Sequence, residues 1–432
     1  MKASHKAWTS LANFLALNRT VAIVLFAVLC FGLGENLWER FIPVYLQTRS
    51  KHVIEATTTL GDLSVETLWI VGIYSCLRNL FEGLCYIGGG QLTAYMGDRG
   101  SLLLFGLLSV TGYVLLLSWS HPLGTIVAAL LILGWEPLSV PVTFTAVGST
   151  VGQSGRSMAF ALQSIQKRLP KIFGPLLAGF VLTQAQRLYG EVQGTMDGMR
   201  WLVSVSLGLG ILSVLVQWRW MPHHQAPTST QSARAILRQM PPMLRRLLVA
   251  EIFKRWCDWL VRDFIVLYVY YVRGISLEQF GLYLALQHTV SLLTYLPVGS
   301  LSRNVGVRPF IGLTFLFFAA FPLTLDLLPS GNWLLAAFVV HGLREIGEPS
   351  RKALITSLLP PEIRAKGVGL YWGLRAFAIC TSSLVGAALW LSFGPRVLLY
   401  VAFAFGCIGA GLFYLLCRTP TNTKELSKNN FG

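Results

Sequence analysis

The chain has 432 residues, of which 54% are hydrophobic and 12% are charged. Soluble globular proteins carry about 25% charged residues, so this composition excludes an ordinary soluble domain. Apolar runs of about 20 residues, each long enough to cross a bilayer, recur from Val21 to Arg418. The formal net charge is +16, but no basic domain lies outside these runs, and this excludes a nucleic-acid-binding protein. The composition therefore predicts an all-α integral membrane protein.

In chain order, the pattern begins with a short cytoplasmic lead, residues 1–19, and continues with six apolar spans in residues 20–220. These spans lie near 20–47, 66–95, 101–120, 123–150, 156–186 and 199–220. The polar segment 221–246 is the longest connection, so we expect it to form a cytoplasmic loop between two halves. Residues 247–418 contain six further spans, followed by a cytoplasmic tail, 419–432. These spans lie near 247–272, 278–302, 308–328, 332–358, 366–392 and 396–417.

The basic residues are unevenly distributed between the two sides of this arrangement. Most occupy the termini and the even-numbered connections, whereas the opposite side holds only Arg49, Lys51, Arg187, Arg200, Arg273 and Arg396. Because Lys and Arg concentrate in cytoplasmic loops, both termini are predicted to be cytoplasmic. We expect a monomeric, multi-pass protein of a bacterial-type cytoplasmic membrane, or of a membrane derived from it.

The two halves carry matching sequence features. Asp258, Arg262 and Asp263 stand where Glu35, Glu39 and Arg40 stand, at a constant offset of 223 residues. Further matches pair Gly72, Tyr74, Tyr86 and Gly90 with Gly281, Tyr283, Tyr295 and Gly299, and Glu136-Pro137 with Glu348-Pro349. The chain is therefore predicted to contain six helices copied in parallel.

The layout and two loop signatures resemble the major facilitator superfamily of secondary transporters. Each signature keeps two glycines, a leucine and an arginine: Gly90, Leu92, Gly97 and Arg99, and then Gly299, Leu301, Gly306 and Arg308. Ala94 and Arg303 replace the usual acid, and Asp98 could substitute for the first. The resemblance implies twelve transmembrane helices in two pseudo-symmetric six-helix bundles. It also implies gating loops at Asp98, Arg99, Arg303 and Arg308.

Charged residues inside the predicted spans are candidates for substrate binding or proton coupling, because such charges usually face a bundle interior or a water-filled path. Glu35 and Glu39 are four residues apart, and we expect them to share a helix face. Glu39 lies nearer the outer end, where its side chain could reach the interface. The same spacing predicts that Arg78 pairs with Glu82 within one helix. Two further candidates, Lys167 and Lys171, need counter-charge, which Glu35, Glu39, Glu82 and Glu136 could supply.

The second half offers a comparable set. Asp258 and Arg262 are one turn apart and could neutralise each other. His288 is either a core residue or a proton relay. Arg344, Glu348 and Arg351 are spaced to share one face, Glu345 is expected to point elsewhere, and Arg351 fits a cytoplasmic anchor as well as a gate. The last candidate is Arg375, within the eleventh span.

No sequence motif indicates catalysis. Neither half has a nucleotide-binding loop, and no Ser-His-Asp or Cys-His arrangement suggests hydrolysis. None of the seven cysteines has metal-ligand or redox spacing. We therefore expect no enzyme activity and no cofactor, and the energy source must be a gradient.

These features predict a proton-coupled secondary active transporter of a small polar or charged solute, which works by alternating access with Glu35 or Asp258 as the proton site. A divalent metal such as iron is one alternative cargo, by analogy with magnetosome membrane carriers of the same superfamily. An organic anion, bound by Lys167, Lys171, Arg344 and Arg375, is another. A carrier fold kept as a non-transporting scaffold or receptor is the alternative of a different class.

Overall fold

The computed structural model describes residues 19–53, 59–60, 63–119, 121–140, 166–222, 233–359 and 363–417. The predicted N-terminal lead, apart from Arg19, and the tail 419–432 lie outside the described residues. The same holds for the connection between the fourth and fifth predicted spans and for most of the loop from Thr57 to Asp62.

The described residues of the first half, between 19 and 222, are largely helical and include one small hairpin. It begins with α1 (Arg19–Asn36), a 3₁₀ turn (Glu39–Phe41) and α2 (Ile42–Val53). The hairpin pairs β1 (Thr59–Leu60) with β2 (Leu63–Ser64) in antiparallel register. The next helices are α3 (Val65–Ser118), α4 (Pro122–Leu133), α5 (Leu169–Tyr189) and α6 (Glu191–Trp220). Residues 135–140 are also helical and follow α4.

The second half, residues 233–417, is helical as well. It starts with α7 (Ala233–Gln239), α8 (Pro242–Val261), α9 (Ile265–Leu267) and a π-helical turn (Tyr268–Val272). Two long helices follow, α10 (Leu277–Val305) and α11 (Arg308–Leu327), and then a 3₁₀ turn (Gly331–Trp333). The remaining helices are α12 (Leu334–Leu343), α13 (Glu348–Leu358), α14 (Arg364–Ile379), α15 (Ser382–Phe393) and α16 (Pro395–Leu416).

Seven stretches of the described chain are long and apolar enough to cross a membrane. They are Arg19–Ser50, Tyr95–Ser118, Pro122–Val140, Glu191–Trp220, Arg308–Leu327, Lys366–Phe393 and Pro395–Leu416. Helix α8 does not qualify because it carries Arg245, Arg246, Glu251, Lys254, Arg255 and Asp258. The prediction of a helical membrane protein is therefore confirmed, whereas the count of twelve spans stays a prediction.

The helices that carry the predicted charges are interrupted beside them. α1 ends at Asn36, just before Glu39, and α8 ends at Val261, just before Arg262. The predicted tenth span is likewise divided into α12 and α13, with Pro349 in the first turn of α13. Since proline lacks an N–H and its ring clashes with the preceding turn, the break before Pro349 was expected.

The two loop signatures adopt equivalent backbone conformations. Gly97 has φ 71° and Gly306 has φ 88°, in the left-handed region that favours glycine. Arg99 donates to the carbonyl of Trp218 at 2.5 Å, and Arg308 donates to the carbonyl of Tyr414 at 3.2 Å. Each arginine thus attaches its loop to the last helix of its own half. Asp98 is buried, and the side chain of Arg303 lies outside the described part.

The two halves pack together through three helix pairs, α3 with α14, α3 with α15, and α5 with α10. Glycines permit the close approach of α3 to α15 and of α5 to α10. A Cβ added to Gly72 would lie 3.1 Å from the Cβ of Ala387, and one added to Gly281 would overlap the carbonyl of Pro175. Gly72 and Gly281 are matched positions of the repeat, so both contacts use the same site of the copied unit.

Candidate functional site at the interface between the halves

Glu39 is the centre of a group of charges that joins the two halves. Its carboxylate is almost fully buried and lies 2.5 Å from Nη1 of Arg78 and 3.4 Å from Nε of Arg40. Nη2 of Arg262, from the second half, donates to the same carboxylate at 3.2 Å. Glu39 and Arg262 are matched positions of the repeat, 223 residues apart. Equivalent residues that touch each other must lie near the axis that relates the two halves.

Other polar contacts cross the interface on either side of this pair. Ser75 of α3 donates to the carboxylate of Asp263. Arg168, just before α5, donates to Glu345 at 2.9 Å and to the hydroxyl of Tyr295. Removing one partner of a buried pair leaves the other charge uncompensated, at a cost of about 3–5 kcal/mol. These contacts therefore hold the halves in this arrangement.

A second group of charges, which we call the basic network, lies within the second half. Its members are connected by ion pairs: Glu251, Lys254, Arg255, Asp258, Arg344, Glu348, Arg351 and Arg375. Five of these eight side chains are cationic and three are anionic. The network therefore carries an excess of two positive charges in a largely buried setting.

Glu251 and Glu348 share the innermost cations of the basic network. Arg351 lies 2.6 Å from Glu251 and 2.5 Å from Glu348. Lys254, which is fully buried, lies 3.5 Å from Glu251 and rests over the ring of Phe315. Tyr371 donates to the second oxygen of Glu251 at 3.0 Å. This inner part is balanced, so the excess of positive charge falls on the outer arginines.

The outer members differ in how closely they are paired. Arg344 donates to Asp258, and Arg255 lies 3.5 Å from Asp258 and 3.8 Å from Glu348. Arg375 has one ion-pair contact, 3.6 Å from Glu251. Within the described chain, neither Nε nor Nη1 of Arg375 has a hydrogen-bond partner, and neither does Nε of Arg255.

A small cavity in the first half is lined by carboxylates. It has a volume of about 40 Å³, and Glu35, Arg78, Glu82 and Glu136 line it together with apolar side chains and Tyr86. Because one buried water requires about 10–15 Å³ of such cavity volume, the cavity can hold a few waters. Glu136 pairs with Lys167 at 3.3 Å, which confirms the predicted counter-charge. Lys171 is half-buried.

Among the residues that the structure describes, no cation lies within ion-pair distance of Glu35 or Glu82. Glu35 is half-buried near the end of α1 and is influenced by the charges of Glu136, Glu39 and Lys171. A carboxyl group in such a place has room for water beside it and no cation of the described residues at ion-pair distance. It can therefore bind and release a proton without breaking an ion pair.

Two of the predicted pairs within one helix are wrong. Arg78 pairs with Glu39 rather than with Glu82, and Asp258 pairs with Arg344 and Arg255 rather than with Arg262. The closer partner of Arg78 is Glu39, in the 3₁₀ turn after α1, and that of Asp258 is Arg344, in the turn after α12.

Three predicted placements are also wrong. Because the chain turns after Asn36, Glu35 lines the cavity, whereas Glu39 is buried against the other half and does not reach the membrane interface. Arg351 is 2% exposed and paired on two sides, so it is not a surface anchor. Glu345 does face the site, since it binds Arg168.

Glu251 and Lys254, which belong to the inner part of the basic network, were not among the site residues predicted from the sequence. A signal was present, because Glu251, Arg255, Asp258 and Arg262 follow one another at steps of four and three along α8. A stripe of alternating charge on one face of an otherwise apolar helix indicates a buried charged surface.

His288 is buried, and its Nδ1 has no hydrogen-bond partner in the described part of the chain. Residues 19–53, 63–119, 121–140, 166–222, 233–359 and 363–417 contain no group of three or more His, Cys, Asp or Glu side chains that could hold a metal ion.

Comparison with known proteins shows a likeness to carriers. Residues 247–431 match the family described as Major Facilitator Superfamily. No curated protein sequence matches the chain significantly. Several solved transporters have the same fold, although their sequence identity to this chain is low.

The human organic anion transporter MFSD10 (TETRAN) is 17% identical, with a TM-score of 0.65 over 91% of this chain and 98% of its own. The nucleoside transporter NupG is 10% identical, with a TM-score of 0.69 over 93% and 100%. A peptide transporter, POT, solved in complex with sulfate, is 15% identical, with a TM-score of 0.67 over 92% and 93%. The second half of the chain is therefore similar to the Major Facilitator Superfamily, and the chain as a whole shares the fold of these solved transporters.

Proposed function

We propose that the protein is a proton-coupled secondary active transporter of a small charged solute, which alternates access by rocking its two halves around the charged interface. The observation that carries the proposal is the set of buried charges that joins the halves, centred on Glu39 and Arg262. Buried charges are costly in a bilayer and usually line a substrate or ion path. A scaffold would gain nothing from them.

Glu35 is the proposed proton site. It lines a cavity with room for a few waters and has no cationic partner among the described residues. Asp258, the matched residue of the second half and the other candidate, is held between Arg344 and Arg255. Because protonation of Asp258 would break two ion pairs, Glu35 is the better carrier of a proton.

The test uses purified protein in two steps. A thermal-shift screen compares ferrous iron with succinate, inorganic phosphate and putrescine, so that the metal alternative is one of its outcomes. The solute that stabilises the protein is then supplied to proteoliposomes with and without an imposed pH gradient. We expect uphill accumulation only with the gradient.

The variant Glu35→Gln should lose uphill accumulation but retain exchange of the solute between compartments of equal pH, since only the proton site is removed. Asp197→Asn, at a carboxylate that contacts Gln193 and Arg200 of its own helix α6, serves as the control and should behave as the wild type. Normal uphill uptake by Glu35→Gln would exclude Glu35 as the coupling residue.

A further inference from the structure

The basic network is not neutral, and this excess of charge indicates what the transporter carries. It contains five cations and three anions. The neighbouring charged groups that the structure describes do not cancel this difference, because Arg262 is paired with Glu39 and Glu345 is paired with Arg168. Uncompensated charge inside a bundle is strongly unfavourable. A mobile anion would remove this penalty whenever it binds.

Two arginines are placed to receive such an anion. The side chains of Arg255 and Arg375 keep 15% and 13% of their exposure, whereas Lys254 and Arg351 are sealed within the helices at 0% and 2%. Three donors of these two residues, Nε of Arg255 and Nε and Nη1 of Arg375, are buried and have no hydrogen-bond partner in the described chain. A guanidinium offers its donors in a planar fork that matches the oxygens of a carboxylate or phosphate.

The position of Arg375 connects this site with the rest of the proposed path. Trp372, one turn earlier on α14, packs against Tyr86 of the first half with ring centroids 5.5 Å apart. Tyr86 lines the cavity that holds Glu35. Arg375 therefore lies on a part of α14 that packs at the interface between the halves.

We propose that the substrate is a small dianion, a dicarboxylate or a phosphate, whose charged group binds between Arg255 and Arg375. Two negative charges match the excess of the basic network, so the bound complex is electrically neutral. This inference rests on the proposed transport function. It adds the charge and chemical class of the solute.

Binding is tested by thermal shift and calorimetry on the purified full-length protein, at constant ionic strength. The probes are succinate, glycerol 3-phosphate, inorganic phosphate, acetate and putrescine. We expect at least one dianion to bind and to raise the melting temperature, with acetate and putrescine much weaker. Which dianion binds distinguishes a dicarboxylate from a phosphate. Binding by no dianion, or equal binding of acetate or putrescine, would overturn the proposal.

Arg375→Gln is the central variant. We expect it to weaken dianion binding by about tenfold to a hundredfold, because it removes hydrogen bonds to a charged group. Arg375→Lys keeps the charge but loses the planar fork, so it should recover only part of the affinity. Arg396→Gln removes an exposed arginine of the same half and is the matched control, for which we expect unchanged binding.

The ligand-free protein provides a second readout that does not depend on binding. Since Glu251 retains Arg351, Lys254 and Tyr371, Arg375→Gln should melt at the wild-type temperature or above it, because it reduces the excess charge. A large loss of stability would show that Arg375 is a structural residue and would overturn the proposal. Dianion binding without gradient-driven uptake would contradict only the proposed coupling, whereas gradient-driven uptake of a cation would contradict only this inference.

Discussion

Individual charges in this protein differ in how many partners they have, and this number decides what each can do. Glu39 and Glu251 each contact several cations and are fixed in place. Glu35 has no cationic partner in the described chain, and Arg375 has one distant contact. Residues with fixed partners maintain the arrangement of helices, and those without them are available to a proton or a solute.

The pair formed by Asp258 and Arg344 provides a test at this scale. Asp258→Asn would increase the positive excess of the basic network and leave two arginines unpaired, so we expect a loss of about 3–5 kcal/mol. Arg344→Gln reduces the excess and leaves Arg255 with Asp258, so its melting temperature should stay near that of the wild type while its uptake falls. Melting and uptake are measured on the same preparations.

An equal loss of stability in Arg344→Gln and Asp258→Asn would show that the pair contributes as a unit and that charge balance is unimportant. Exchanging Arg344 with Glu348 should not restore a damaged protein, because these two residues do not pair with each other.

The sequence identified most charged residues of the site but not their partners. Spacing along a helix predicted pairs such as Arg78 with Glu82, whereas the actual partner, Glu39, comes from another element. Local spacing gives the residues that share a helix face, and tertiary packing then selects among all the charges nearby. Arg351 with Glu348, a pair within α13, was predictable because no rotation between helices affects it.

At the scale of elements, breaks in the helices accompany the charges. α1 and α8 both stop within a few residues of Glu39 and Arg262, and a turn at 344–347 separates α12 from α13. Backbone groups freed at a break must find other partners, so such breaks occur where a helix lines a cavity or another part of the protein. Pro349, beside Glu348, predicted the break before α13, whereas no equally specific residue predicted the turn after Asn36.

The contact between α5 and α10 yields a prediction about an element as a whole. In Gly281→Ala, the added methyl group would overlap the carbonyl of Pro175 and push the helices apart. Overpacking of this kind costs about 1–3 kcal/mol. We expect a lower melting temperature and slower uptake, measured in detergent and in proteoliposomes respectively.

Gly208→Ala is the matched control for Gly281→Ala. Gly208 lies within α6, and no atom lies within 4 Å of a Cβ added there. We expect this variant to melt and transport as the wild type does. Equal behaviour of the two variants would mean that the helix contact is loose enough to accept a methyl group.

At the scale of the whole molecule, the distribution of basic residues predicts the orientation in the membrane. Reporter fusions at both termini and within 221–246 should give cytoplasmic signals, and a fusion in the loop from Thr57 to Asp62 should give an external one. An external signal from 221–246 would contradict the arrangement of twelve spans.

The architecture was more predictable than the site. Apolar runs, the repeat and the loop signatures indicated a helical carrier, and the matched glycines Gly97 and Gly306 do adopt the same conformation. Hydropathy could not settle the number of spans, because helices such as α8 carry buried, ion-paired charges that lower their mean hydropathy.

The contact between Glu39 and Arg262 also bears on the ancestry of the protein. A six-helix unit that once formed a symmetric homodimer would place each of these positions against its own copy. Glutamate would then face glutamate, or arginine would face arginine, and either pair repels. The present contact is possible only because the two copies have diverged, so neither half of this chain can replace the other.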